Sequence, residues 1–110
     1  MTRIRRLEGI TVATSVLPNS EIVAGAPRAG ATELAQLGGA EIGLWEMTVG
    51  AASDVEADEC FLVLTGRATI LFTQSGESVE IAAGDFVTLH AGEQTEWTVH
   101  EPLRKLYIAA

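Results

Sequence analysis

Carboxylate side chains are concentrated in residues 50–66, GAASDVEADECFLVLTG, just ahead of an apolar run that ends at a turn glycine. Glu59 opens that run and shares one face of the predicted strand with Phe61 and Val63. A carboxylate among apolar side chains has a raised pKa, because burial disfavours its charged form. Glu59 is therefore the leading catalytic candidate, and the alternative is a carboxylate at the rim that is hydrogen-bonded to a loop.

Glu46 is the second catalytic candidate, because it interrupts an otherwise apolar strand face. A buried glutamate needs a partner, and Arg104 or Lys105 would supply one as a salt link without any function. If Glu46 instead converged with Glu59, Lys105 and Tyr107, the group would suit binding of a small polar metabolite, or acid–base chemistry on it.

The remaining candidates are weaker on their own. Asp54, Glu56 and Asp58 are expected in a solvated acidic loop, with Asp54 the one to test for a role in a pocket. The two tryptophans are core residues or an aromatic wall of a binding site. The predicted ligand-binding residues are Trp45, Asp54, Phe61, Thr95, Trp97, Lys105 and Tyr107.

The single cysteine and the two histidines offer little. Cys60 excludes an internal disulfide and is expected to be a buried, inert thiol, which suits a cytoplasmic location. His90 follows a predicted strand and precedes the Ala91-Gly92 turn, so it is expected near the mouth if the strands close into a barrel. His100 is expected at an exposed strand end. No Ser-His-Asp spacing, phosphate-binding glycine loop or zinc pattern occurs in the sequence.

Composition limits the function classes. The chain has 110 residues, 47% of them hydrophobic, with a formal net charge of −8. This charge argues against binding to nucleic acid, which depends on neutralising phosphates with Lys and Arg. No apolar run approaches the roughly 20 residues of a membrane span, so no membrane partner is expected.

Short strands and turns dominate the pattern. Strands are predicted at residues 41–49, 59–65, 67–73, 78–82, 86–90, 95–100 and 103–109, with a hairpin at residues 74–77 and Pro102 as a break. Residues 1–30 are predicted as an irregular N-terminal arm that packs on the barrel or on a partner subunit, and residues 31–110 as one β-barrel domain. Within the first 37 residues, residues 10–17 are β-branched and are a candidate strand. Residues 32–37 are predicted as an edge strand, and the alternative is one helical turn capped by Thr32.

The order and spacing of several short motifs resemble the cupin superfamily, and in particular the cupin domains of the ureidoglycine aminohydrolase type. The motifs are Trp45-Glu46-x-Thr48-x-Gly50, Asp58-Glu59, Val63-Leu64-x-Gly66-Arg67-Ala68-Thr69-Ile70, Gly84-Asp85, Ala91-Gly92, Thr95-x-Trp97-x-Val99 and Glu101-Pro102-x-Arg104-Lys105-x-Tyr107. The resemblance covers about residues 41–108. It implies an all-β, RmlC-like jelly-roll barrel.

Metal-dependent cupins use three histidines and a glutamate, and this sequence departs from that pattern. Aligning the motifs places the glutamate on Glu59, but the histidine positions on Ala52, Asp54 and Thr95. Only Asp54 and Glu59 are potential ligands, a set that suits neither zinc, nickel nor copper. No cofactor is therefore expected, and a weakly bound divalent metal on these two carboxylates is the alternative.

Three functions are compatible with these residues. The preferred one is a metal-independent pocket that binds a small polar or nitrogenous metabolite. The second is a hydrolase or isomerase related to ureidoglycine aminohydrolase, acting through Glu59. The third is a structural or partner-binding barrel without a ligand. A homodimer is expected in each case, because the strand at residues 59–65 is apolar on both faces.

Overall fold

The computed structural model describes residues 3–110 and is built almost entirely of β-strands. A single 3-10 turn, Leu7–Gly9, precedes nine strands. These are β1 (Ser15–Val16), β2 (Ile22–Ala24), β3 (Arg28–Leu37), β4 (Ala40–Met47), β5 (Gly50–Val55), β6 (Glu59–Phe72), β7 (Ser78–Ala82), β8 (Phe86–Leu89) and β9 (Gln94–Ala109). No helix among residues 3–110 is long and apolar enough to cross a membrane.

Two long strands, β6 and β9, pair with each other and organise the sheet. The C-terminal half of β9 lies between β4 and the first half of β6, and β3 and β8 extend this side. The N-terminal half of β9 lies between β5 and the second half of β6, and β2 and β7 extend the other side. The curled, almost all-β sheet agrees with the predicted fold class, a jelly-roll barrel.

Both long strands run through a point that the sequence pattern predicted as a break. Gly66 adopts a φ of +94° in β6, and a Cβ atom there would lie 2.1 Å from the carbonyl oxygen of Pro102 in β9. The pairing register shifts at this point. Pro102 has no backbone N–H to donate. It is tolerated because it lies at a β-bulge, where no ladder hydrogen bond from that position is needed. The predicted interruptions after residue 65 and at Pro102 are therefore wrong: each position lies within one continuous strand, where the pairing register shifts.

Strand alternation sorts the side chains as predicted. In β9, Thr95, Trp97 and Val99 are buried, and in β7 Ile81 is buried between two exposed neighbours. The inward faces of β4, β5, β6 and β9 supply most of the apolar core. Its largest fully buried side chains include Phe61, Ile70, Leu89, Leu103, Val63 and Val99.

The first 30 residues are only partly an irregular arm. Strand β3 begins at Arg28, β1 pairs with its first residues, and β2 pairs with β5. Of the strand considered at residues 10–17, only Ser15–Val16 forms. Arg104 anchors the 3-10 turn Leu7–Gly9 to the sheet, because its Nη2 atom donates to the carbonyl oxygens of Leu7 (2.6 Å) and Ile10 (2.9 Å). Residues 1 and 2 of the predicted arm lie outside the described residues.

Candidate functional site

A cavity of about 290 Å³ lies between the inward faces of β3, β4, β5 and β9 and is partly open to solvent. Its volume is near the lower end of the roughly 300–1,000 Å³ range typical of small-molecule sites. Its lining mixes aromatic and small apolar residues with four carboxylates and one ammonium group. The lining residues are Leu17, Glu21, Ala29, Ala31, Trp45, Met47, Ala52, Ser53, Asp54, Glu56, Glu59, Trp97, Lys105 and Tyr107.

Lys105 carries the only positive charge of that lining, and its side chain is 6% exposed. Its Nζ atom lies 2.6 Å from Glu59 Oε2. The same atom lies 4.2 Å from the ring centroid of Phe61, 4.6 Å from that of Trp45 and 4.8 Å from that of Trp97. A carboxylate and three π faces thus replace the water that a buried ammonium loses.

Glu56 is the most deeply buried carboxylate of the site, with 9% of its surface exposed. It follows the end of β5 and turns back towards β9. There its Oε2 atom accepts hydrogen bonds from Thr95 Oγ1 (2.9 Å) and Trp97 Nε1 (3.1 Å). Burial raises the pKa of the Glu56 carboxyl above its ordinary 4.5, and the nearby Asp54 carboxylate raises it further. The two hydrogen bonds and the charge of Lys105 act in the opposite direction without cancelling the rise.

Tyr107 lines the cavity but directs its hydroxyl to the strand edge, where it donates to a carboxylate oxygen of Glu41. Burial, and then the Glu41 carboxylate, raise the pKa of the Tyr107 phenol, so it stays protonated at neutral pH. The phenol is a fixed wall and donor rather than a base.

The sequence-predicted site residues separate into two groups. Trp45, Asp54, Glu59, Trp97, Lys105 and Tyr107 all line the cavity, Phe61 lies beneath the Lys105 ammonium, and Thr95 holds Glu56. Glu46 does not join them, because it alternates with the inward residues of β4 and lies on the opposite face. There it pairs with Arg104 at 2.6 Å, which confirms the salt link and removes Glu46 from the predicted convergence.

The residues present do not fit the metal centre of metal-dependent cupins. Ala52 offers no ligand atom, Thr95 is bound to Glu56, and the Glu59 carboxylate is already neutralised by the Lys105 ammonium. Within residues 3–110 no three His, Cys, Asp or Glu side chains are grouped so as to hold a metal ion. His90 and His100 are both exposed, and His100 Nε2 is hydrogen-bonded to Thr69 Oγ1 at 2.8 Å.

Glu56 and Glu21 belong to the site although the sequence pattern did not select them. For Glu56 the alternation of residues 52, 54 and 56 is a weak signal, because β5 ends at Val55 and alternation holds only within a strand. The prediction that Glu56 is solvated is wrong. For Glu21 no sequence signal existed, because it reaches the cavity from the turn between β1 and β2.

Comparison with known proteins agrees with the fold. The EutQ-like cupin domain family matches residues 34–107, and no curated protein matches. Solved structures that resemble this chain include the EutQ protein of Clostridium difficile, at 19% identity and a TM-score of 0.73, covering 94% of this chain and 82% of that one. A protein of unknown function from Pseudomonas syringae, of the DUF861 family, is 21% identical with a TM-score of 0.73. That alignment covers 93% of this chain and 45% of the Pseudomonas protein.

A DUF861 family protein from Thermotoga maritima is 29% identical, with a TM-score of 0.58, over 61% of this chain and 76% of that one.

The curled sheet and its central cavity define a cupin. The family match, which spans about two thirds of the sequence, identifies the chain as a member of the EutQ-like cupin domain family. The finer resemblance to the ureidoglycine aminohydrolase type is not among these matches.

Proposed function

We propose that this protein is a metal-independent cupin that binds a small polar or nitrogenous metabolite in the cavity between Trp45 and Glu56. The observation that carries the proposal is the cavity itself. It is open to solvent, large enough for a small molecule, and lined by aromatic rings beside charged groups. This combination is typical of ligand sites, in which apolar walls supply affinity and a few polar groups fix orientation.

The internal pairing of the site supports binding without a metal. Lys105 and Glu59 neutralise each other at 2.6 Å, so the Glu59 carboxylate needs no metal ion to balance its charge. The charged lining also speaks against a barrel with a purely structural role, for which a closed and apolar interior would be expected.

The test is a screen of small polar metabolites by protein NMR, with Ala31→Phe as the blocked variant. Ala31 is an exposed residue at the cavity edge, so a phenyl ring there obstructs entry without disturbing the core. Ala35→Phe, on the same strand and outside the lining, is the matched control. The proposal expects at least one metabolite that binds the wild type and Ala35→Phe but not Ala31→Phe. If no compound shifts cavity resonances, or if both variants bind alike, the proposal is wrong.

A second candidate is an enzyme of the ureidoglycine aminohydrolase kind or another small-molecule hydrolase or isomerase, acting through Glu59. It is favoured by one observation: a carboxylate and an ammonium group, Glu59 and Lys105, lie side by side at the cavity. Turnover lost in Glu59→Gln with ligand binding retained would support this candidate, and unchanged turnover would exclude it.

We also propose that two copies of this chain associate, in the cytoplasm, through the outer face of β6, β8 and β9. Phe86 and Leu106 both pair with Leu62, so the three side chains share that face, and Phe86 is 64% exposed. Ile108 extends the patch and is 40% exposed. Light scattering should give a dimer mass for the wild type and for Val55→Glu, an exposed apolar control on β5, but a monomer mass for Phe86→Glu. A monomeric wild type would contradict the proposal.

A further inference from the structure

The side chains that line the cavity carry more negative than positive charge, and this excess bears on the charge of the ligand. Glu21, Asp54, Glu56 and Glu59 face a single ammonium, that of Lys105, which gives the lining a formal net charge of −3. Lys105 and Glu59 cancel each other at 2.6 Å. The other three carboxylates form no salt bridge within residues 3–110.

One carboxylate oxygen of Glu56, Oε1, accepts no hydrogen bond from the described residues. The two hydrogen bonds that it accepts both arrive at Oε2, from Thr95 and Trp97, although the residue is nine-tenths buried. Among the described residues no fully buried side-chain oxygen or nitrogen lacks a partner, so Oε1 is not sealed inside the protein. It is left as an acceptor at the cavity.

The aromatic wall is suited to the same kind of ligand. The rings of Trp45 and Trp97 lie 5.6 Å apart and already hold one ammonium, the Nζ of Lys105, within 5 Å of both centroids. Indole faces attract cations and repel anions, because the face of the ring carries the negative end of its quadrupole.

From these observations we infer that the ligand of the proposed site is a small organic cation, a protonated amine held between Trp45 and the carboxylates of Glu56, Asp54 and Glu21. The inference rests on the proposed function. It adds that a neutral molecule of the same shape binds weakly and that the corresponding anion is excluded. The positive charge of Lys105 is largely offset by Glu59 at 2.6 Å, so the formal net charge of −3 on the lining still favours a cation.

Three probes of equal chain length test this inference: butylamine, butan-1-ol and butyrate, titrated at neutral pH and constant ionic strength. Binding is followed by the amide and indole N–H resonances of the ¹⁵N-labelled protein, in which Trp97 Nε1 reports on Glu56 directly. We expect butylammonium to bind at least about tenfold more tightly than butanol, and butyrate to bind most weakly.

Two variants assign the effect to the cavity. Glu56→Gln should lower the affinity for butylammonium about tenfold and leave that for butanol within about twofold. Asp54→Asn, at an exposed position, should lower it in the same sense. Glu101→Gln, an exposed glutamate outside the cavity, is the control and should change nothing.

The outcomes distinguish this inference from the proposed function. If butanol or butyrate binds in the cavity as well as butylammonium, or if both Glu56→Gln and Asp54→Asn bind the amine normally, the cation inference is wrong while the pocket stands. If none of the probes binds, the cation inference is wrong. If, in addition, the metabolite screen is empty, the proposed function fails with it.

Discussion

The Lys105 ammonium bridges two kinds of partner at once: Glu59 Oε2 at 2.6 Å and the ring of Phe61 at 4.2 Å. On β6, Glu59 and Phe61 are inward residues of the same face, and the lysine crosses from β9 to reach both. The charge pair is mostly desolvated, with 6% of the Lys105 and 16% of the Glu59 side chain exposed. An ion pair in such surroundings stabilises the fold only while both partners are present.

Removing one partner of this pair should therefore be costly. We expect Glu59→Gln to lower the free energy of unfolding by about 3 kcal/mol, because it leaves a buried ammonium without its counter-charge. Urea denaturation with an unchanged slope measures the loss. The control is Glu101→Gln, which breaks the exposed pair with Arg67 at 4.0 Å and should cost under about 0.5 kcal/mol. Equal costs for the two variants would contradict the buried pair.

Glu56 makes a prediction about pH. Its pKa in the folded protein is raised above 4.5 by burial and by Asp54, so the folded state holds the proton more tightly than the unfolded chain does. Its contribution to stability is complete below pH 4.5 and is lost as the pH rises through the folded-state pKa.

The neutral variant Glu56→Gln avoids this loss and can still accept the indole hydrogen bond. The difference in melting temperature, variant minus wild type, should therefore become more positive from about pH 4 to about pH 7. Thermal unfolding in a buffer series measures it. Glu80→Gln, at an exposed position of β7, is the control. A difference that stays constant with pH, or falls, would contradict the raised pKa.

Most of the fold follows from strand alternation and turn residues. In β9 the alternation of Thr95, Trp97 and Val99 predicts their burial. Successive side chains of a strand point to opposite faces, so a strand with one face on the core buries every second residue. The continuity of β6 and β9 could not be predicted. Pro102 reads as a strand breaker, and only its position at a bulge opposite Gly66 makes it compatible with a single strand.

Site residues within strands could be predicted from their residue type and from the strand face on which they lie. A residue placed by the change of chain direction after a strand could not. Trp45 and Lys105 could be selected because each follows the alternation of its own strand. Glu56 lies beyond the end of β5, and its hydrogen bonds to β9 span about forty positions of sequence. Such a contact is set by tertiary structure, so charge alone made Glu56 look solvated.

Arg104 should control how firmly the N-terminal arm is held. Its guanidinium joins three acceptors: Glu46 Oε2 at 2.6 Å and the carbonyl oxygens of Leu7 and Ile10. Arg104→Lys keeps the charge but loses the planar fork that reaches all three. We expect amide hydrogen exchange in residues 7–12 to accelerate about tenfold, at a cost in the range of 1–2 kcal/mol.

The control for this prediction is Arg67→Lys, because Arg67 lies on the same sheet but is half exposed and pairs only at 4.0 Å. Its exchange pattern should match that of the wild type. If Arg104→Lys leaves residues 7–12 as protected as before, the arm is held by its apolar contacts rather than by the guanidinium.

Gly66 lies where the register between the two long strands shifts, and replacing it should be costly. An alanine there meets two obstacles: a φ of +94°, which side chains rarely adopt, and the Pro102 carbonyl oxygen 2.1 Å from the new Cβ. Because the obstacle is backbone in the partner strand, relief would require β6 and β9 to separate. Gly76→Ala is the matched control, since its φ of +79° carries a similar conformational cost but nothing lies within 4 Å of the added carbon.

We expect Gly76→Ala to cost about 1 kcal/mol and Gly66→Ala to cost at least about 3 kcal/mol, the difference being the steric part. Melting temperature and soluble yield, measured for both variants in parallel, provide the comparison. Should Gly66→Ala fail to fold while Gly76→Ala is recovered normally, the steric cost is larger than this figure but of the same origin. Equal stability of the two variants would show that β6 and β9 do not approach each other at Gly66 as closely as the structure has them.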